Sequence, residues 1–132
     1  MGTGRSNTEK LVSKMGASAY ASAYYAYYGS DYSSSSKTGN YAARLCDILE
    51  YTVDGVTYDD WFLPSLDELN LMYTNLCKAD LGGFDNDYSY WSSSESDYSE
   101  YYALNQYFSF SDGRQSRDGR NTSRRVRPVR AF

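Results

Sequence analysis

The chain is 132 residues long and carries a net charge of −4, with 16 tyrosines, 2 cysteines and no histidine. That length suits one domain, and the missing imidazole excludes histidine-based triads, the commonest general base and most zinc sites. No stretch approaches the ~18 apolar residues of a membrane span, and Met1-Gly2-Thr3-Gly4-Arg5 lacks the apolar core of a signal peptide.

A first helix is expected to start at Ser6 or Asn7. Ser6-Asn7-Thr8-Glu9 has the form of a capping box, and Leu11, Val12 and Met15 follow at helical spacing. Residues 17–28 are rich in alanine and can extend that helix, whereas residues 29–39 read as a serine-rich loop. A second helix is predicted over about residues 40–49, with Ala42, Leu45, Cys46 and Leu49 on one face. Tyr51-Thr52-Val53-Asp54-Gly55-Val56-Thr57-Tyr58 reads as a hairpin, because Asp-Gly accepts the positive φ angles of a type I′ turn. The apolar run Trp61-Phe62-Leu63 stops at Pro64. Ser65 and Glu68 then form a capping box for a third helix, whose stripe is Leu69, Met72, Tyr73 and Leu76 and which ends before Gly82-Gly83.

Beyond Gly83 the helical period disappears. Residues 88–95 read as a strand, and residues 103–110 as another. In the second, Leu104, Gln106, Phe108 and Phe110 are expected to face inward, and Asn105, Tyr107 and Ser109 outward. Ser111-Asp112-Gly113 is a turn, a polar segment follows, and residues 125–132 read as a closing strand. Helices early and antiparallel strands late imply an α+β fold.

Seven arginines and one aspartate give residues 113–132 a charge of +6, which leaves −10 on residues 1–112. A basic end raises the question of nucleic acid. Here Arg125, Arg127 and Arg130 alternate with Val126, Pro128, Val129 and Phe132, as on a strand with two faces, so no nucleic-acid partner is expected. Those three arginines are expected to pair with the acidic amino-terminal part, and Arg117 and Arg120 to serve a surface. Cys46 and Cys77 lie on different predicted helices, outside any C-x-x-C pair, and are either buried free thiols or a disulfide. Asp85, Asp87, Glu95, Asp97 and Glu100 lack the spacing of an EF-hand loop. No metal, cofactor or enzymatic activity is expected.

Three segments together carry a resemblance. They are Asp59-Asp60-Trp61-Phe62-Leu63-Pro64-Ser65-Leu66-Asp67-Glu68-Leu69, Tyr90-Trp91-Ser92-Ser93-Ser94-Glu95 and Arg125-Val126-Arg127-Pro128-Val129-Arg130-Ala131-Phe132. In this order they resemble the bacterial C-type-lectin-fold domain of collagen-like adhesins and of the variable proteins of diversity-generating retroelements. Gly2-Thr3-Gly4 with Asn7-Thr8, and Tyr41-Ala42-Ala43-Arg44-Leu45-Cys46, are similar to its earlier blocks, so the resemblance covers most of the chain. It implies one ligand-binding domain over residues 1–132, with two to three helices flanking a small twisted antiparallel sheet and the chain ends close together. It also implies a cell-surface or secreted setting within a longer protein, and binding without chemistry. Formylglycine-generating enzymes are similar in fold but use a reactive cysteine pair near their carboxyl end, whereas both cysteines here lie on early predicted helices, so that activity is not expected. Two departures stand out. The family usually has an opening strand before the Gly-Thr-Gly block, at which this sequence starts, so an edge of the sheet is expected to be missing or supplied differently; residues 17–39 are longer and richer in Tyr and Ser. That insert reads as a second contact surface, a mobile loop or a low-complexity segment.

In retroelement-diversified members the carboxyl-terminal segment varies at AAY codons, which mutate to Tyr, Asp, Ser, Arg, Gly and Thr but not to Lys, Glu, Gln, Trp or Met. The candidate ligand-binding residues are Tyr98, Tyr101, Asn105, Tyr107, Ser109, Ser116, Arg117, Asp118, Arg120, Asn121 and Ser123, with Ser96 and Asp97 beside them. All belong to the reachable set. The residues between them, Glu100, Leu104, Gln106, Phe108 and Gln115, include types outside it. Tyrosine supplies a large, stiff contact area with few torsions to freeze, and Ser and Asn supply adaptable hydrogen bonds. The expected ligand is a protein or a glycan. The alternative is a structural module that self-associates through its tyrosine-rich surface.

Overall fold

A computed structural model describes residues 2–15, 26–27, 42–84, 86–96, 102–119 and 124–131. Among them the fold is α+β, with three α-helices, a five-stranded mixed sheet and a two-stranded hairpin. The helices are α1 (Gly4–Met15), α2 (Ala42–Asp47) and α3 (Leu66–Asn75), the last followed by a 3-10 turn at Cys77–Ala79. The hairpin pairs β2 (Tyr51–Val53) with β3 (Val56–Tyr58). The larger sheet contains β1 (Ala26–Tyr27), β4 (Tyr88–Glu95), β5 (Tyr102–Phe108), β6 (Gln115–Gly119) and β7 (Arg124–Arg125), in the order β1-β7-β4-β5-β6. Pairing is antiparallel across β4, β5 and β6, and parallel where β7 meets β4 and β1.

Local chemistry explains the best-formed helix. Ser65 Oγ accepts from the Glu68 N–H at 3.3 Å, and Glu68 Oε1 accepts from the Ser65 N–H at 3.0 Å, so α3 starts at the capping box read from the sequence. The same Glu68 oxygen accepts the Gly4 N–H at 2.7 Å and so caps a second helix. For this reason α1 begins at Gly4, ahead of the expected Ser6 cap. Ser6 lies inside the first turn, and its hydroxyl donates to Thr3 O at 3.4 Å. Thr8, buried one turn on, accepts the Leu63 N–H at 2.9 Å and donates to Gly4 O at 2.8 Å.

Two apolar clusters lie on opposite faces of the sheet. One gathers Ala43, Leu45, Cys46, Leu63, Trp91 and Val126, with Leu11 and Val12 of α1 against it. The other gathers Leu69, Tyr73, Cys77, Tyr90 and Phe108, with Met72 and Phe84 beside it. Consecutive residues of β4, Tyr90 and Trp91, therefore enter different clusters, as alternation along a strand requires. Each large side chain so buried contributes about 1.5–3 kcal/mol. The serines after Trp91 satisfy backbone where the β4–β5 register shifts between Trp91 and Glu95. Ser92 Oγ donates to Leu104 O at 2.8 Å, and Ser94 Oγ accepts the Leu66 N–H at 3.0 Å. Cys46 and Cys77 are free thiols, one in each cluster.

Several sequence expectations are corrected. The strand expected over residues 103–110 ends at Phe108, and Phe110 is 50% exposed rather than inward. Residues 115–119, read as a polar connection, form β6. The closing strand is short: only Arg124–Arg125 belong to the sheet, and Val129 makes an isolated antiparallel bridge with Phe62. Pro128, which has no N–H, interrupts the ladder between them. The second helix stops at Asp47, leaving Ile48 exposed. Within residues 17–28, Ala26–Tyr27 are strand, and the rest of that proposed helical extension lies outside the described residues.

Gly113 is held against the ring of Tyr73, whose hydroxyl donates to Ser109 O at 2.8 Å. A methyl group at residue 113 would overlap that ring, and the ring cannot retreat without breaking its buried hydrogen bond. Gly113→Ala should lower unfolding stability by about 1–3 kcal/mol, whereas Ser116→Ala on the exposed strand should change it by no more than about 0.5 kcal/mol. Urea denaturation of the two variants tests the difference.

Candidate functional site

The candidate residues do not form one row. Five of them, Tyr98, Tyr101, Arg120, Asn121 and Ser123, lie outside the described residues, as does Asp97. Of the remainder, two expected to project are buried: Asn105 is 1% exposed and Ser109 7%. For Asn105 the physical reason is that β5 is an interior strand between β4 and β6, and both faces of the sheet are covered along it; Ser109 lies just past β5, in a turn where its N–H donates to Asp112 O at 3.0 Å. Alternation then sorts side chains between two interiors, not between core and solvent.

Asn105 lies beneath a polar bridge. Its Nδ2–H donates to Asp118 Oδ2 at 2.8 Å, and the same oxygen accepts Arg124 Nε–H at 2.9 Å. Since Asp118 is on β6 and Arg124 on β7, this ion pair spans the two strands between them and closes over Asn105. Asp118 therefore holds the sheet together. Gln106, on the opposite face, is fully buried and donates to Asn70 Oδ1 at 2.9 Å and to Gly113 O at 2.8 Å. It ties β5 to α3 and to the turn before β6.

What remains accessible is β6, which lies at one edge of the sheet. Gln115, Ser116 and Arg117 are consecutive and all exposed, so neither face of the strand is covered there. Pairing with Asn105 places Ser116 on the same face as Tyr107. Pairing with Leu104 places Arg117 on the other, its guanidinium 5.9 Å from the Tyr102 ring centroid. Tyr107 is half-buried, covered by the Arg114 guanidinium at 4.8 Å, and its hydroxyl donates to Asp87 Oδ1 at 3.1 Å. Burial first, and then that hydrogen bond to a carboxylate, push the phenol above its ordinary range. Arg114 also pairs with Asp112 at 3.4 Å. The edge is thus a strip of exposed polar side chains held between two arginine–tyrosine stacks.

The closing arginines are engaged in three different ways. Arg130 makes a two-pronged ion pair with Asp60, at 2.7 and 3.1 Å, as expected for pairing with the acidic part. Arg127 instead donates to the carbonyls of Gly82 and Gly83, at 2.6 and 3.0 Å, and lies over the Phe84 ring. Arg125 is fully buried, 4.1 Å from the Tyr88 ring centroid. In the acidic group, Asp87 accepts from Tyr107 and Glu95 ends β4, while Asp85, Asp97 and Glu100 lie outside the described residues. No group of three Cys, Asp or Glu that could hold a metal ion occurs among the described residues. Both thiols are pushed up by burial, Cys46 strongly, and so stay protonated.

Comparison with family models, with curated proteins and with solved structures finds no match for this chain. No helix among the described residues is long and apolar enough to cross a membrane.

Two outcomes follow from these contacts. Asp118→Ala deprives a buried amide and Arg124 of their shared acceptor and should cost about 1–3 kcal/mol, while Arg117→Ala should cost no more than about 0.5 kcal/mol. Thermal melts of the pair distinguish a brace from a surface group. The Arg130 hydrogen bonds hold the Asp60 carboxyl below its ordinary value of 3.8. A depressed folded-state value gives stability that is present above the unfolded value and lost as pH falls through the folded one. The stability difference between the natural chain and Asp60→Asn should therefore be flat near neutral pH and close only below about pH 4.

Proposed function

We propose that this chain is a non-catalytic binding domain of the C-type-lectin-like kind, which presents the β6 edge to a protein or glycan partner on another surface. The observation that carries this reading is the contrast across one cross-strand ladder. Asn105 and Gln106 of β5 are buried and held by half-buried hydrogen bonds, while their partners Ser116 and Gln115 on β6 stand exposed beside Arg117. Side chains on such a braced strand lose little further freedom when a partner arrives. Exposed serine, glutamine and arginine beside tyrosine rings are the side chains that adaptable contact surfaces use. Helices on both faces of a small sheet, together with the sequence resemblance, favour the lectin-like assignment. The same resemblance favours a retroelement-diversified carboxyl-terminal segment and a cell-surface or secreted setting. With both thiols buried and protonated, neither is poised as a nucleophile.

An outer strand also offers unpaired backbone groups to a second copy, and this favours self-association as the second reading. The purified chain should bind members of a glycan array or a surface-protein panel, and Ser116→Ala with Arg117→Ala should abolish that binding while the melting temperature stays within a few degrees. Binding retained by this double variant would remove the edge from consideration. Concentration-dependent light scattering that the double variant eliminates would instead favour the self-associating module.

A further inference from the structure

A second concave surface shares no lining residue with β5 or β6. It begins at the hairpin, whose two faces differ in chemistry. The cross-strand pairs Tyr51–Tyr58 and Val53–Val56 share one face, while Thr52 and Thr57 share the other, their hydroxyls 2.8 Å apart. The apolar face is poorly covered: Tyr51 is 58% exposed and Val56 51%. Tyr51, Val53 and Tyr58 look onto a groove of about 540 Å³, bounded by Met72 of α3, by Leu76 just after it and by the rings of Trp61 and Phe84. The Trp61 indole N–H donates to Tyr58 O at 2.9 Å, which fixes that ring against the hairpin.

Two guanidinium groups border the groove, and they differ in one respect. Arg130 is neutralised by its ion pair with Asp60 and lies 4.3 Å from the Tyr58 ring centroid. Arg127 has only the Gly82 and Gly83 carbonyls and the Phe84 face, and no carboxylate among the described residues pairs with it. Two carbonyl bonds use two of its five N–H donors. The groove is therefore an apolar trough carrying one positive charge without a carboxylate partner among the described residues, beside a surface dense in rings and methyl groups.

We propose that this groove binds a small apolar carboxylate. Its aliphatic or aromatic body lies between the hairpin face and α3, and its carboxylate engages Arg127. The volume falls within the ~300–1,000 Å³ of small-molecule sites. A saccharide would need several hydrogen-bonding groups for its hydroxyls, and the lining consists chiefly of rings and methyls. A cationic ligand would meet Arg127 at its charged end, whereas a carboxylate accepts charge-assisted hydrogen bonds there.

Three probes that share one apolar body separate charge from greasiness: 4-phenylbutyrate, 4-phenylbutanol and 4-phenylbutylamine, titrated into the isotopically labelled chain and followed by NMR. The acid should bind more tightly than the alcohol, and the alcohol more tightly than the amine, with saturable shifts at Tyr51, Val53 and Trp61. Arg127→Gln should weaken the acid by roughly tenfold or more, to the level of the alcohol. Val53→Ser should weaken acid and alcohol alike. Because loss of Arg127 also removes its bonds to the Gly82-Gly83 turn, Arg127→Lys provides a second variant, and it should retain the preference for the acid. Equal affinity for all three probes, shifts confined to β6, no saturable binding, or an acid preference that survives Arg127→Gln would each overturn the assignment.

Discussion

The fold depends on one strand having to satisfy two interiors. Tyr90 and Trp91 are adjacent in β4, both almost wholly buried, and they point to opposite sides of the sheet. Such a strand needs a cover on each face, and α1 with α2 supplies one while α3 supplies the other. The need to keep both covers in place explains the polar contacts at their junction. Glu68 caps α3 and α1 together, Thr8 bridges α1 to the segment before α3, and Ser94 reaches the first turn of α3 from β4. These are buried or half-buried hydrogen bonds, and losing either partner would strand the other in a poorly solvated place.

The same constraint separates the exposed edge from the brace behind it. Polar donors on an interior strand must find partners within the protein, and the side-chain N–H groups of Asn105 and Gln106 do so at Asp118, Asn70 and Gly113. On β6 the shielding ends, so Gln115, Ser116 and Arg117 face solvent whichever way they point. Ordered backbone with exposed, chemically varied side chains arises here because an outer strand pairs with a hydrogen-bonded inner one.

Arginine illustrates how a shared residue type acquires different work from its surroundings. Four of them, Arg124, Arg125, Arg127 and Arg130, sit within seven positions. Arg124 spans the sheet to Asp118, Arg125 is interred over Tyr88, Arg130 is neutralised by Asp60, and Arg127 keeps its charge beside an apolar groove. A planar guanidinium suits all four, because it can fork onto a carboxylate, accept a ring against its face and donate to carbonyls. No single role follows from the run itself.

What the sequence by itself determined was whatever depends on neighbours along the chain. The capping box at Ser65 and Glu68, the apolar stripe of α3, the Asp-Gly hairpin and the existence of β4 and β5 all follow from spacing over a few residues, and each is present. The α+β class follows from their order. Tertiary structure alone decided the rest, because burial depends on what arrives from elsewhere. Asn105 reads as exposed by alternation but is interred once both sheet faces are covered. The segment at residues 115–119 shows no alternation because an outer strand has no buried side to mark, so its strand character was invisible. The apolar face of the hairpin was readable in Tyr51, Val53, Val56 and Tyr58, but that it borders a groove with Arg127 depends on distant parts of the chain coming alongside. Local pattern specifies elements; only their packing specifies which side chains are left to meet a partner.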